Sequence, residues 1–319
     1  MSNTAQLVVV IDTEEDFDWS GEFSRDNTAV GSMRSIGRAQ RLFEEYGVTP
    51  VYVIDYPIAS QRGGYEPLAE IHAQKACVVG AHLHPWVNPP FVEEVNRYNS
   101  FPGNLGRSLE AAKLKVLTDT IAARFGQPRI YKAGRYGLGP HTAAILEEQG
   151  YEVDLSVCPY MNYSAEGGPD FSANSAWPSR VGERLLELPL TVGYAGALRR
   201  WGPCLHDLAT KKPFLSLRIP GILARIGFLN KIWLSPEGYL PEELIALTTA
   251  LYRSGLRVFS FAFHSPSLEA GHTPYVRSQA DLERFFLTCR RFFDFFFGEL
   301  GGVATTPLEL RANFAIKHS

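Results

Sequence analysis

Four cysteines in 319 residues, none in a Cys-x-x-Cys pair, exclude a disulfide-stapled secreted scaffold and a thiolate zinc knuckle. Cys77, Cys158, Cys204 and Cys289 are scattered and read as reduced, mostly packed thiols of a cytoplasmic protein. No apolar run approaches the roughly 18 residues of a membrane-spanning helix. Residues 1–6 carry no basic stretch ahead of the first apolar run, which predicts no secretory leader. Excess positive charge is missing too: 31 Lys and Arg against 34 Asp and Glu remove the global basic field that a nucleic-acid partner requires. Neither an internal repeat nor a Gly/Pro/Ser linker divides the chain. One domain over 1–319 is therefore expected, with a less regular basic and apolar insertion at about 199–239. A 45% hydrophobic share with 20% charged residues suits a globular fold with a large core.

What is present is organised around residues 7–19. Residues 7–11 form an unbroken β-rich apolar run, the pattern of a strand buried on both faces of a parallel sheet. The run stops at Asp12 and is followed by Glu14, Glu15, Asp16 and Asp18. Carboxylates crowded at a strand end raise one another's pKa. Either this loop is solvated, or a positive group offsets the repulsion, and a metal ion is the usual one.

Strand and helix patterns then alternate. Helices are expected over 30–46 (stopped by Gly47), 65–74, 105–125, 140–149, 241–254 and 278–297. Strands are expected over 48–54, 76–79, 129–132, 152–157, 185–190 and 258–263, and a last short strand or loop over 303–310. Residues 87–104 and 159–178, rich in Pro, Asn, Gly and Ser, predict loops. Strand–helix units of roughly 25 to 40 residues predict a mostly parallel sheet with helices outside, and an active site at the carboxyl ends of the strands. Asp12, His82, Lys132 and His264 each follow an apolar strand pattern.

His82 and His84 stand two residues apart, a spacing that points both imidazoles the same way in extended backbone. They read as a structural or exposed pair, or as two ligands of one ion. Two neutral imidazoles and a carboxylate would leave coordination positions open, as a catalytic zinc-type site does. His264, in Phe-Ala-Phe-His-Ser-Pro-Ser, reads as a capped strand-end histidine or as a general acid titrating near neutral pH. Asp12 would be the complementary base, one strand away from the metal ligands.

In that order, a strand ending in Asp12-x-Glu14, Gly80-x-His82, Lys132-Ala133-Gly134-Arg135-Tyr136-Gly137 and Phe263-His264-Ser265-Pro266-Ser267 resemble the polysaccharide deacetylases of the NodB-homology type, carbohydrate esterase family 4. The resemblance covers roughly residues 5–310. It implies an α/β fold, a distorted (β/α)7–8 barrel with parallel strands inside and helices outside. It also implies metal-dependent hydrolytic N-deacetylation of an acetamido sugar. By resemblance Asp12 is the base, His82 the first metal histidine and His264 the late acid. Glu14 falls where the family carries its metal carboxylate, and a period of two places it better than Glu15 to share Asp12's face. The implied cofactor is a divalent metal, zinc first, then cobalt or nickel. A backbone N–H near Tyr136 or Gly137 is the implied oxyanion donor.

Three positions depart from the family. Trp86 replaces the second histidine of His-x-x-x-His, so His84 must substitute. Glu14 is one methylene longer than the usual aspartate, with Asp16 as an alternative. Lys132 stands where an arginine commonly covers the base and cannot pair bidentately; either it holds Asp12 as a point charge or Arg135 reaches in. Trp19, Trp86, Tyr136 and Tyr160, with Gly137, lie in expected loops, where aromatic faces suit sugar rings or ordinary packing. The basic stretch 199–234 suits a phosphate- or lipid-linked sugar, or a helix pair whose arginines are solvated. The phenylalanine-rich helix is either core or the contact of a homo-oligomer. Two other functions compete. One is an amidohydrolase-type C–N hydrolase, in which the His-x-His normally precedes the aspartate. The other is a catalytically silent glycan-binding deacetylase fold.

Overall fold

The computed structural model describes residues 4–213 and 218–316. Residues 1–3, and 214–217 of the irregular segment, lie outside the described residues. The strands are β1 (Gln6–Thr13), β2 (Val51–Ile54), β3 (Val78–Leu83), β4 (Ile130–Ala133), β5 (Val153–Asp154), β6 (Ser179–Val181), β7 (Leu185–Glu187), β8 (Val192–Ala195), β9 (Asn230–Trp233), β10 (Val258–His264) and β11 (Val303–Ala304). The helices are α1 (Ile36–Glu45), α2 (Tyr56–Ser60), α3 (Arg62–Ala73), α4 (Arg107–Phe125), α5 (Thr142–Glu148), α6 (Gly202–Thr210), α7 (Ile219–Arg225), α8 (Pro241–Arg253), α9 (Gln279–Phe293) and α10 (Pro307–Ile316).

The main sheet runs β10-β1-β2-β3-β4-β5-β7-β6, with β11 also on β1, and only the β6–β7 pair is antiparallel. Residues 7–11 of β1 are buried on both faces, as their unbroken apolar run requires. Leu7, Val9 and Ile11 pack on the helix layer, whereas Val8 and Val10 join the inner cluster of the curled sheet. The sheet stays open between its end strands β10 and β6, and the antiparallel pair β8–β9 forms a separate sheet whose end bonds β10. Leu234 donates to the Thr191 carbonyl at 2.8 Å, and Ala262 donates to the Leu234 carbonyl at 3.1 Å.

Register fixes where the polar strand ends fall. Asp12 is opposite His264 and His82 opposite Lys132. β2 lies between β1 and β3, so the two histidines stand two strands from Asp12, not one. The phenylalanine-rich helix resolves as core: Phe285, Phe286, Phe292, Phe293 and Phe296 are buried, and Phe292 stacks on Phe261 of β10 at 5.2 Å. The 303–310 segment splits into β11 and the start of α10. Within 199–239 the chain forms α6 and α7 between the two hairpin strands.

Candidate functional site

The carboxyl ends of β1, β3, β4 and β10 converge on Asp12. Its carboxylate is buried, and Lys132 Nζ donates to both oxygens, at 2.7 and 2.6 Å. The point-charge alternative therefore holds, with the ammonium straddling both oxygens. Burial pushes the Asp12 carboxyl up, but Lys132, His82 and His264 more than offset this and hold it below its ordinary value. Arg135 does not reach Asp12. Its backbone is left-handed (φ 52°), and its guanidinium donates to Ser100 Oγ at 2.6 Å and to Glu166.

Glu14 turns to the same side as Asp12. Its Oε2 lies 3.4 Å from His82 Nε2 and 3.5 Å from His84 Nε2, and its Oε1 is buried without a partner. His82 Nδ1 donates to the Lys132 carbonyl at 3.0 Å, which turns its Nε2 toward the Glu14 carboxylate. His84 Nδ1 pairs with Glu15 Oε2 at 2.8 Å, and the Trp86 indole N–H donates to Glu15 Oε1 at 2.8 Å. Burial and the neighbouring His82 pull His84 down to about 4, keeping its imidazole neutral. Burial and the Glu14 charge raise Glu15 to about 7. Asp55 backs the shell, accepting from the Glu15 N–H at 2.7 Å and capping α2 through the Ile58 N–H.

One ligand atom each from Glu14, His82 and His84 falls within 4.8 Å of the others. Two imidazole nitrogens converging on a buried carboxylate, with one carboxylate oxygen orphaned, form a cluster that a cation would complete. The donor set, two nitrogens and one oxygen with each Nδ1 held from behind, fits a zinc-type ion better than magnesium or calcium. Asp16 is not part of the cluster: it accepts from the Ser32 N–H at 3.0 Å and lies 3.3 Å from His272 Nδ1. Gly134 lies against the cluster, since a Cβ there would meet His84 Cδ2 and the Leu83 carbonyl at 2.5 Å.

On the β10 side, His264 Nε2 lies 3.6 Å from Asp12 Oδ2, and its Nδ1 pairs with Glu237 Oε2 at 2.8 Å. Glu237 is buried and also accepts from the His264 N–H and from Ser267 Oγ. Burial pulls His264 down, but the Glu237, Glu14 and Asp12 charges push it up to about 9. Glu237 went unnoticed in the sequence. It lies 27 residues before His264, in the irregular segment, and nothing local marks it as a partner.

Two cavities share the wall made by Asp12, Tyr136, Trp233, His264 and Tyr275. The outer one, about 370 Å³, also takes in Glu14 and both metal-side histidines; the other, about 350 Å³, runs past Lys132 to Leu190, Ser260 and Ala262. Trp19 lines the outer cavity, 4.8 Å from the His264 ring. Trp86 borders it too, but is only 2% exposed, and its ring stacks on His84 at 4.2 Å. Tyr136, left-handed at φ 59°, lines both cavities. Gly137 lines neither, and its N–H already donates to the Gly134 carbonyl at 3.0 Å, which removes it as an oxyanion donor. Tyr160 lies elsewhere, beside Arg199 and Arg200. Trp233 and Tyr275 are lining residues that sequence reasoning missed.

No family model matches the sequence, and no curated relative matches it either. Solved structures match across its whole length. A Mycobacterium smegmatis chain assigned as a polysaccharide deacetylase is 14% identical, with 100% of this chain and 93% of that one covered and a TM-score of 0.53. A Pseudomonas aeruginosa PAO1 chain with the same assignment gives 14% identity, 99% and 93% coverage and a TM-score of 0.53. Puue allantoinase gives 14%, 99% and 92%, with a TM-score of 0.50. At such identities the likeness concerns architecture alone: the chain has the NodB-homology deacetylase fold, a curled, mostly parallel sheet surrounded by helices.

Proposed function

We propose that this chain is a metal-dependent hydrolase that removes the acetyl group from an N-acetylated sugar, working as one barrel domain in the cytoplasm. The observation that carries this reading is the pairing of two half-sites across Asp12. One half is a carboxylate and two imidazoles converging on an orphaned buried oxygen; the other is a histidine backed by a buried glutamate.

Glu14, His82 and His84 would hold the ion, zinc first and cobalt or nickel next. When bound, it supplies Lewis acidity toward a water and toward the acyl oxygen. Asp12, kept ionised by Lys132, takes the proton of the attacking water. As the new C–O bond forms, charge develops on the acyl oxygen, and the backbone N–H of Tyr136 is the remaining candidate donor for it. His264, kept protonated by Glu237, gives its Nε2 proton to the leaving nitrogen as the C–N bond breaks. Trp19, Tyr136 and Trp86 border the space in which the sugar would lie, and Arg135 and Glu166 border its outer rim.

The test is amine release from a panel of N-acetylated sugars, before and after chelation. Turnover that stops on chelation and returns with zinc, cobalt or nickel is expected. Preference for cyclic or non-sugar amides would assign the amidohydrolase alternative. Failure on every amide by the metal-loaded chain would leave the silent glycan-binding fold.

A further inference from the structure

The insertion between β8 and β9 carries a surface that the catalytic reading does not use. Five of its large apolar side chains stand in solvent: Trp201 63%, Leu208 50%, Ile222 50%, Ile226 56% and Phe228 46% exposed. Trp201 sits at the entry to α6 and Leu208 on it, while Ile222 lies on α7 and Ile226 and Phe228 in the turn that follows, and the two helices touch. Single exposed apolar residues are ordinary, but a cluster of this kind on two adjacent helices marks an interaction surface.

Charge says what covers it. Residues 199–231 hold seven Arg and Lys against one carboxylate, Asp207, in a chain whose overall charge is −3. Asp207 is already paired with Lys211 at 2.8 Å. Among the described residues, Arg199, Arg200, Lys212, Arg218 and Arg225 have no carboxylate partner, and all but Arg199 are exposed. A second copy of the same face would bring these like charges together. Trp, Leu, Ile and Phe interleaved with Arg and Lys on short helices is the composition that lies in the headgroup layer of an anionic bilayer. At nine and seven residues, α6 and α7 are too short to cross one.

We propose that the α6–α7 insertion docks this protein on an anionic lipid surface. Trp201, Leu208, Ile222, Ile226 and Phe228 enter the interface, and Arg200, Arg218 and Arg225 contact lipid phosphates. The hairpin that carries the insertion begins at the catalytic cavity: Trp233, in its wall, is three residues from Asn230 at the α7 end of β9, about 10 Å along the strand. Docking would thus bring the cavity close to the bilayer. The inference does not depend on the proposed hydrolysis, because lipid binding is read without a substrate.

The experiment is vesicle co-sedimentation of the full chain, using phosphatidylcholine alone and phosphatidylcholine with phosphatidylglycerol, at low and high salt. Binding to the anionic vesicles only, weakened by salt, is the expected result. Arg200→Glu/Arg218→Glu/Arg225→Glu should cut the bound fraction about tenfold or more, and Trp201→Ser/Ile222→Ser/Ile226→Ser should abolish it, with melting temperatures near wild type. The salt titration of the unmodified chain stands even if a variant misfolds. Equal binding to both vesicle types, no binding to either, or full binding by the charge-reversed variant overturns the proposal. A dimer in solution that dissociates in the serine variant, with no vesicle binding, would assign the face to a second copy.

Discussion

The two histidine half-sites flanking Asp12 use one residue type for opposite ends. On the β3 side, His84 is buried beside another imidazole and is held neutral, near 4. On the β10 side, His264 is charged, near 9, because the Glu237 carboxylate lies on its Nδ1. Both rings carry a glutamate behind Nδ1, so the presence of a carboxylate does not by itself decide. The difference lies in what surrounds the pair. Glu15 is itself pushed up to about 7 by burial and by Glu14, so it is a weak counter-charge. Glu237 has His264 and the Ser267 hydroxyl as its donors. One ring is prepared to be a ligand, the other to give a proton.

Substitutions can separate the halves. The largest effect is expected from Asp12→Asn, which removes the shared base: turnover should fall by about 10²–10⁴ while bound metal is retained. A steady-state assay with metal analysis on the same preparation checks both. Glu15→Gln should weaken metal binding by about 10- to 100-fold, because it removes the group orienting His84, and excess metal should restore turnover. Metal titration followed by calorimetry reads this directly. Glu237→Gln should leave metal affinity intact and act on the acid alone. Without that carboxylate the folded-state pKa of His264 falls from about 9 toward the ordinary imidazole value. The protonated form is the active one, so the alkaline limb of the pH–rate profile should move to lower pH, with about a tenfold loss near pH 8. An unmoved limb would show that His264 is not the acid.

Much of the site was legible in the sequence, for local reasons. The unbroken apolar run 7–11 announced a strand buried on both faces, and its end placed Asp12 at the carboxyl end of the strand. The period of two chose Glu14 over Glu15 for Asp12's face, and Glu14 is the carboxylate that meets both Nε2 atoms. The relation of Lys132 to Asp12 was left open between two side chains, and only register across four strands brings Lys132 in and leaves Arg135 outside. Glu237 was illegible because its partner is far along the chain, on the other side of α8. Gly137 failed as a donor through a tight local turn that its neighbours' side chains do not reveal. The basic stretch 199–234 was left open between a ligand site and a helix pair; α6 and α7 form such a pair, with Arg200, Arg218 and Arg225 exposed.

The central claim is that Glu14, His82 and His84 form one metal site. Elemental analysis of the purified chain beside a His82→Ala/His84→Ala variant tests it most directly. About one zinc-type ion per wild-type chain, absent from the variant, is the predicted result. No metal in either protein, with no uptake of added zinc, cobalt or nickel, would contradict it.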